Sequence, residues 1–124
     1  MDFSEYQALA MPKTIAEWQD EVWTTAENSG WHEGNLNTND IAAKLALVHS
    51  EVSEALEELR VHSPSHEYAR ASDGKPEGFA VELADVVIRV MDLCGQLEID
   101  LEAAIAKKHA FNATRSWRHG GKVL

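Results

Sequence analysis

The run LALVHSEVSEALEELR, residues 45–60, and the later run GFAVELADVVIRVMDL, residues 78–93, decide the architecture. Around the first, Ile41, Leu45, Val48, Val52, Leu56 and Leu59 recur at helical spacing and predict a helix with one apolar stripe. In the second, Phe79, Leu83, Val86, Val90, Leu93 and Leu97 line one side. Ala84, Ile88, Met91 and Gly95 line nearly the opposite side, which predicts a helix covered on two flanks. Upstream, Thr14 with Glu17 is a capping-box signature ahead of Ile15, Trp18, Val22 and Ala26, a helix that Asn28, Ser29 and Gly30 stop. Residues 31–38 read as a loop, with Asn39 or Asp40 capping the next helix. Residues 60–78, with Pro64, Gly74, Pro76 and Gly78, read as an irregular connection, and Asp100 caps a last helix reaching about residue 115. No segment alternates with period two. Four helices of this kind predict an all-α, four-helix bundle.

A chain of 124 residues with 44% hydrophobic content fits a single domain spanning residues 1–124. The lone Cys94 excludes an internal disulfide framework and points to a reducing compartment. With no basic start leading into a long apolar run, and no stretch near the roughly 18–20 apolar residues of a membrane span, the expectation is a cytoplasmic protein without membrane contact. A formal charge of −10 argues against stable nucleic-acid binding, which needs clustered Lys and Arg. The charge is uneven: Lys107, Lys108, Arg115, Arg118 and Lys122 give the end of the chain +5, and the remainder carries −15. On charge alone, a basic helix terminus favoured by the macrodipole with a solvated tail explains this as well as a functional role does.

Glu51 and Glu54 stand three apart on the second helix, and Glu82 and Asp85 three apart on the third, so each pair projects from one face. Acidic residues usually lie on solvated faces, and Glu51, Glu54 and Glu58 fall away from the apolar stripe of their own helix. On the third helix, Glu82, Asp85, Arg89 and Asp92 run between two apolar flanks. Carboxylates there need a partner, either Arg89 or a metal, because unpaired burial of charge is costly. Two facing carboxylate pairs suit magnesium, which takes oxygen ligands and shares its shell with water and phosphate. A di-iron centre would need Glu-x-x-His, which is absent, and the histidines are read as forming no zinc-like pair. On the fourth helix Leu101, Ala104 and Ile105 open a stripe, expected to face inward, that continues into Lys108, Asn112 and Arg115. Turned inward, these groups would either clamp phosphate oxygens or neutralise the acidic cluster. The basic end, residues 118–122, reads as a flexible segment able to fold over an anion. Trp31 and His32 are the candidate base-recognition residues, since every nucleobase has a face that stacks on an aromatic ring.

At this point the chain resembles the MazG-type family of all-α nucleoside triphosphate pyrophosphohydrolases, in its small single-domain branch. The likeness rests on Glu51-Val-Ser-Glu54, Glu82-Leu-Ala-Asp85 and the run KKHAFNATRSWRHGGK, and covers roughly residues 42–122. The resemblance implies magnesium, with manganese as a substitute, held by Glu51, Glu54, Glu82 and Asp85. It implies attack by water between the α and β phosphates of a nucleoside triphosphate, release of pyrophosphate, and phosphate contacts from Lys108, Asn112 and Arg115. It also implies a homodimer or homotetramer with active sites near subunit contacts, and a house-cleaning role on deoxynucleotides. Many members carry a further Glu just before the first pair, where this chain has Ser50; Glu54 or Glu58 is then the candidate catalytic base. Two other readings stand beside this one: a non-catalytic helical adaptor whose acidic and basic stripes pair, and a nucleotide- or metal-binding regulator.

Overall fold

Thr14 and Glu17 form the reciprocal cap that starts α1, Ile15–Asn28, and Asn37 with Asp40 does the same for α2, Thr38–Val61. The computed structural model describes residues 13–33 and 36–115. The cap of α2 thus falls two residues before the earlier of the two expected positions, because Asn37 places a side-chain oxygen 2.9 Å from the Asp40 amide. Helices α3, Phe79–Gln96, and α4, Leu101–Ala113, follow, the latter capped by Asp100 as the sequence predicts. Among the described residues the fold is all-α apart from one hairpin in the expected irregular connection. There β1, Glu67–Ala69, pairs antiparallel with β2, Pro76–Gly78. Strands of three residues are too short to show a period-two pattern.

Helix α3 lies at the centre, with α2 packed along one side and α1 along another, while α4 touches α1 lightly. Close approach of α1 is possible because Gly95 has no side chain: a Cβ there would stand 2.9 Å from the Trp23 ring. The hydrophobic core is thin, with Ala55, Met91 and Leu93 as its buried members among the described residues.

Two expectations are corrected here. Helix α2 does not turn its apolar stripe inward: Leu45, Val52, Leu56 and Leu59 are exposed, Leu56 by 56%, whereas Glu51 is 6% exposed and Ala55 is buried. The face toward α3 is the one that carries carboxylates, so α3 meets it with polar groups. Nor does the Lys108, Asn112 and Arg115 stripe of α4 face the bundle. All three are exposed, with the Lys108 ammonium and the Arg115 guanidinium lying over the Phe111 ring at 5.3 and 5.1 Å. The two expected apolar flanks of α3 are covered mainly in its second half, Leu83, Ala84 and Ile88 being exposed. The basic segment 118–122 lies outside the described residues, and among those described no helix is long and apolar enough to cross a membrane.

The two backbone positions with the least latitude make opposite predictions. Gly78 joins the hairpin to α3 at φ +133°, and a Cβ there would run into the His66 carbonyl oxygen. Gly78→Ala should therefore cost about 2 kcal/mol and lower the thermal midpoint by roughly 10 °C. Glu98, in the turn after α3, has φ +57°, where glycine carries no steric cost. Glu98→Gly should raise the midpoint, by about 1 kcal/mol at most after the loss of unfolded-state restriction. Melts followed by circular dichroism measure both.

Candidate active site

The i,i+3 spacing that puts Glu82 and Asp85 on one face of α3 aims them at α2, where Glu51 points back. One carboxylate oxygen from each of Glu51, Glu82 and Asp85 lies within 4.8 Å of the others. Trans ligands on a magnesium ion stand about 4.2 Å apart, given bonds of about 2.1 Å, so three oxygens this close fit a single hard cation after a small inward movement. Glu82 supports that fit independently: it is 6% exposed, and its Oε2 is buried with no hydrogen-bond partner. A buried carboxylate oxygen with no donor is costly unless a cation or a proton fills the place. A proton does so in part. Burial above all, then a hydrogen bond with Glu54 and the charges of Asp85 and Glu54, push the Glu82 carboxyl up to about 7. Burial, followed by the Glu51 charge, also raises Asp85.

Glu51 has a different partner. The Arg89 Nε donates to its Oε1 at 2.6 Å, so of the two partners open to the acidic seam, this carboxylate has the guanidinium. The Arg89 guanidinium in turn lies 4.9 Å from the centre of the Trp31 ring. Trp31 is fixed through its neighbour: His32 directs Nδ1 to Glu27 at 2.5 Å and Nε2 to Asp92 at 2.7 Å, tying the loop after α1 to α3. Asp92 also accepts from Gln96 at 2.9 Å. The result is an open cleft of about 570 Å³ whose walls include Trp18, Trp31, Glu51, Glu54, Asp85 and Arg89.

The structure therefore brings together Glu51, Glu82 and Asp85, with Glu54 beside Glu82 on the cleft wall but outside the group of three. Trp31 lines the cleft, whereas His32 has both ring nitrogens engaged and acts on the loop as an anchor. Glu58 lies one turn beyond Glu54 and away from the cleft lining, where it accepts from the Tyr68 hydroxyl at 2.8 Å; its Oε2 is buried without a partner. Ser50 donates to the Leu47 carbonyl at 2.7 Å. Lys108, Asn112 and Arg115 are not among the cleft-lining residues.

Sequence reasoning missed Lys75, which reaches the cleft from the hairpin and carries no spacing signal. It also missed a pair of histidines: His62 and His66 stand four apart and stack with ring centres 4.3 Å apart, beside Tyr68. That spacing is visible in the sequence, although Pro64 between them rules out the helix on which such a pair ordinarily binds zinc.

The chain is 30% identical over 109 residues to the dATP/dGTP diphosphohydrolase of Cyanophage S-2L, a match covering 86% of this chain and 81% of that protein. The chain belongs to the family of that enzyme. No family model matches it. No solved structure matches it either.

In chelator, the folded chain holds the Glu82 proton up to about pH 7, whereas the unfolded chain releases it near 4.5. Between these values the folded state binds more protons, so this group's contribution to stability falls as pH rises. The expected result is a melting midpoint that declines from about pH 5 to about pH 8, with a flatter profile in Glu82→Gln. A steeper decline in that variant would assign the titration elsewhere.

Proposed function

We propose that this chain is a magnesium-dependent nucleoside triphosphate pyrophosphohydrolase of the MazG type, acting in nucleotide-pool house-cleaning. The observation that carries the reading is the group of Glu51, Glu82 and Asp85 around a buried carboxylate oxygen with no donor, two of whose members, Glu51 and Asp85, line a cleft large enough for a nucleotide. Magnesium, or manganese in its place, supplies Lewis-acid polarisation of phosphate oxygens and a more acidic water when bound there. Glu51, Glu82 and Asp85 would hold it, with Glu54 on the cleft wall as the fourth carboxylate. We assign the proton of the attacking water to Glu54, which lines the cleft, whereas Glu58 lies outside the lining and accepts from Tyr68. Water adds to the α-phosphorus, the bond from that phosphorus to the bridging oxygen breaks, and pyrophosphate leaves with the electron pair. Trp31 offers the stacking face for the base. The name of the phage relative makes dATP and dGTP the first substrates to try.

The adaptor reading needs the acidic stripes to pair with the basic stripe of α4. Among the described residues no ion pair joins them, and Lys108 and Arg115 lie over Phe111 instead. The exposed stripe of Leu45, Val52, Leu56 and Leu59 supports assembly into a homodimer or homotetramer, because a single chain leaves it in water. In such an assembly, Lys108, Asn112 and Arg115 are free to reach a neighbouring copy's cleft.

Two experiments test this. With magnesium present, a panel of deoxynucleoside triphosphates should yield pyrophosphate and the monophosphate, and Glu82→Gln and Asp85→Asn should each lower the rate at least about a hundredfold while remaining folded. Parent-like rates in both variants would remove the carboxylate group from the mechanism. Light scattering on a sizing column should give the mass of two or four chains, and Leu56→Asp should shift it toward one.

A further inference from the structure

The proposed reaction leaves a charge problem that its metal alone does not solve. Glu51, Glu54 and Asp85 line the cleft and Glu82 is grouped with Glu51 and Asp85, so four carboxylates meet a ligand that is itself a polyanion, and one divalent ion offsets half of their formal charge. The cations expected to answer this, Lys108 and Arg115, do not line the cleft of their own chain. Two others do. Among the described residues, Lys75 and Arg89 are the cationic side chains in the cleft wall, and they act on the carboxylate group from different directions.

Arg89 is held in place and only partly used. Its Nε is spent on Glu51, and the Trp31 ring covers its face, which together fix the plane of the guanidinium. Its two terminal amino groups make no hydrogen bond among the described residues, although the side chain is only 27% exposed. A planar fork with unspent donors, fixed beside a metal ligand, is the geometry that takes phosphate oxygens in a bidentate manner. Lys75 is presented by the hairpin. Its amide donates to Asp73 at 3.1 Å and its carbonyl accepts from the Arg70 amide at 2.8 Å, while the Arg70 guanidinium bonds both oxygens of Asp73. The turn is thus closed on itself, yet the Lys75 ammonium makes no ion pair within 4.0 Å among the described residues. Its charge is still felt at Glu82 and Asp85, where it opposes the upward shift of both carboxyls.

Building on the proposed function, we propose that Arg89 and Lys75 are the phosphate ligands this chain supplies to its own cleft, Arg89 taking oxygens on the Glu51 side and Lys75 on the Glu82 side. Each is a binding residue whose free donors match phosphate oxygens. The alternative role for both is that of counter-ions, holding the carboxylates together until a metal arrives.

Calorimetric titration of the full chain distinguishes the two, first with magnesium alone and then with inorganic tripolyphosphate in saturating magnesium. That probe carries no base or sugar, so it reports phosphate contacts only. The parent should bind it. Lys75→Met and Arg89→Lys should each weaken binding at least about tenfold, the cost of losing charge-assisted hydrogen bonds, with magnesium affinity nearly unchanged. Arg89→Lys keeps the positive charge and loses the fork, so a counter-ion role would leave tripolyphosphate binding at the parental level. Lys75→Met changes an exposed hairpin residue outside the helix packing and carries the test for its own residue should the Arg89 variant not fold. Parental binding in a variant overturns the assignment of that residue, and a parent that does not bind overturns both. Tripolyphosphate binding without hydrolysis of any nucleoside triphosphate would remove the proposed function and leave the two ligands standing. Hydrolysis with unchanged tripolyphosphate affinity in both variants would do the reverse.

Discussion

Carboxylates pressed against one another across the α2/α3 seam set the terms for the rest of this fold. Glu51 and Glu82 are each 6% exposed, as buried as the few hydrophobic residues around them. Charge in such a place raises the free energy of the folded state unless it is paired, protonated or bound to a cation. All three remedies have a place here: Arg89 pairs with Glu51, Glu82 holds on to a proton, and one of its oxygens is left with no donor. A chain selected for stability alone would fill this seam with methyl groups.

The surroundings follow from the need to keep the seam open on one side only. His32 spans Glu27 on α1 and Asp92 on α3 with its two ring nitrogens, which holds the loop after α1 against the central helix. Trp31 is thereby delivered to the guanidinium of Arg89, one turn before Asp92. A contact of this kind is worth about 1 kcal/mol at a partly exposed site, and here it connects the aromatic wall of the cleft to a residue bonded to Glu51. On the far side, the hairpin closes through Arg70 and Asp73, whose bond and the Lys75 amide hold the Asp73 carboxyl down at about 2. Gly78 then admits the backbone close to His66, so that α3 starts where Glu82 meets α2.

Much of this was legible in the sequence, and the failures have identifiable causes. Cap signals and helical periods located the four helices of the described residues to within a few residues, because both are local properties of the chain. The acidic pairs were legible as pairs since i,i+3 spacing fixes a shared face. What faces that side is not a local property. The stripe of Leu45, Val52, Leu56 and Leu59 has the period of a core-facing helix, yet it lies exposed, and periodicity cannot tell a covered apolar stripe from an uncovered one. The same gap misplaced Lys108, Asn112 and Arg115, whose stripe was read as turning inward. His32 required contacts sixty residues apart to be understood as an anchor, and Lys75 depended on a hairpin too short to leave a pattern.

Helix α2 therefore carries its carboxylates and its exposed apolar stripe as neighbouring phases of one cylinder, a single residue step apart at Glu51 and Val52. Each step turns the helix by about 100°. An inserted or deleted residue between Lys44 and Glu51 would rotate everything beyond it, swinging the acids into water and the leucines toward the polar seam of α3. Many single substitutions along this helix disturb one face and spare the other, but a change of length disturbs both. Over evolutionary time, α2 should tolerate drift in composition far more readily than any shift in frame.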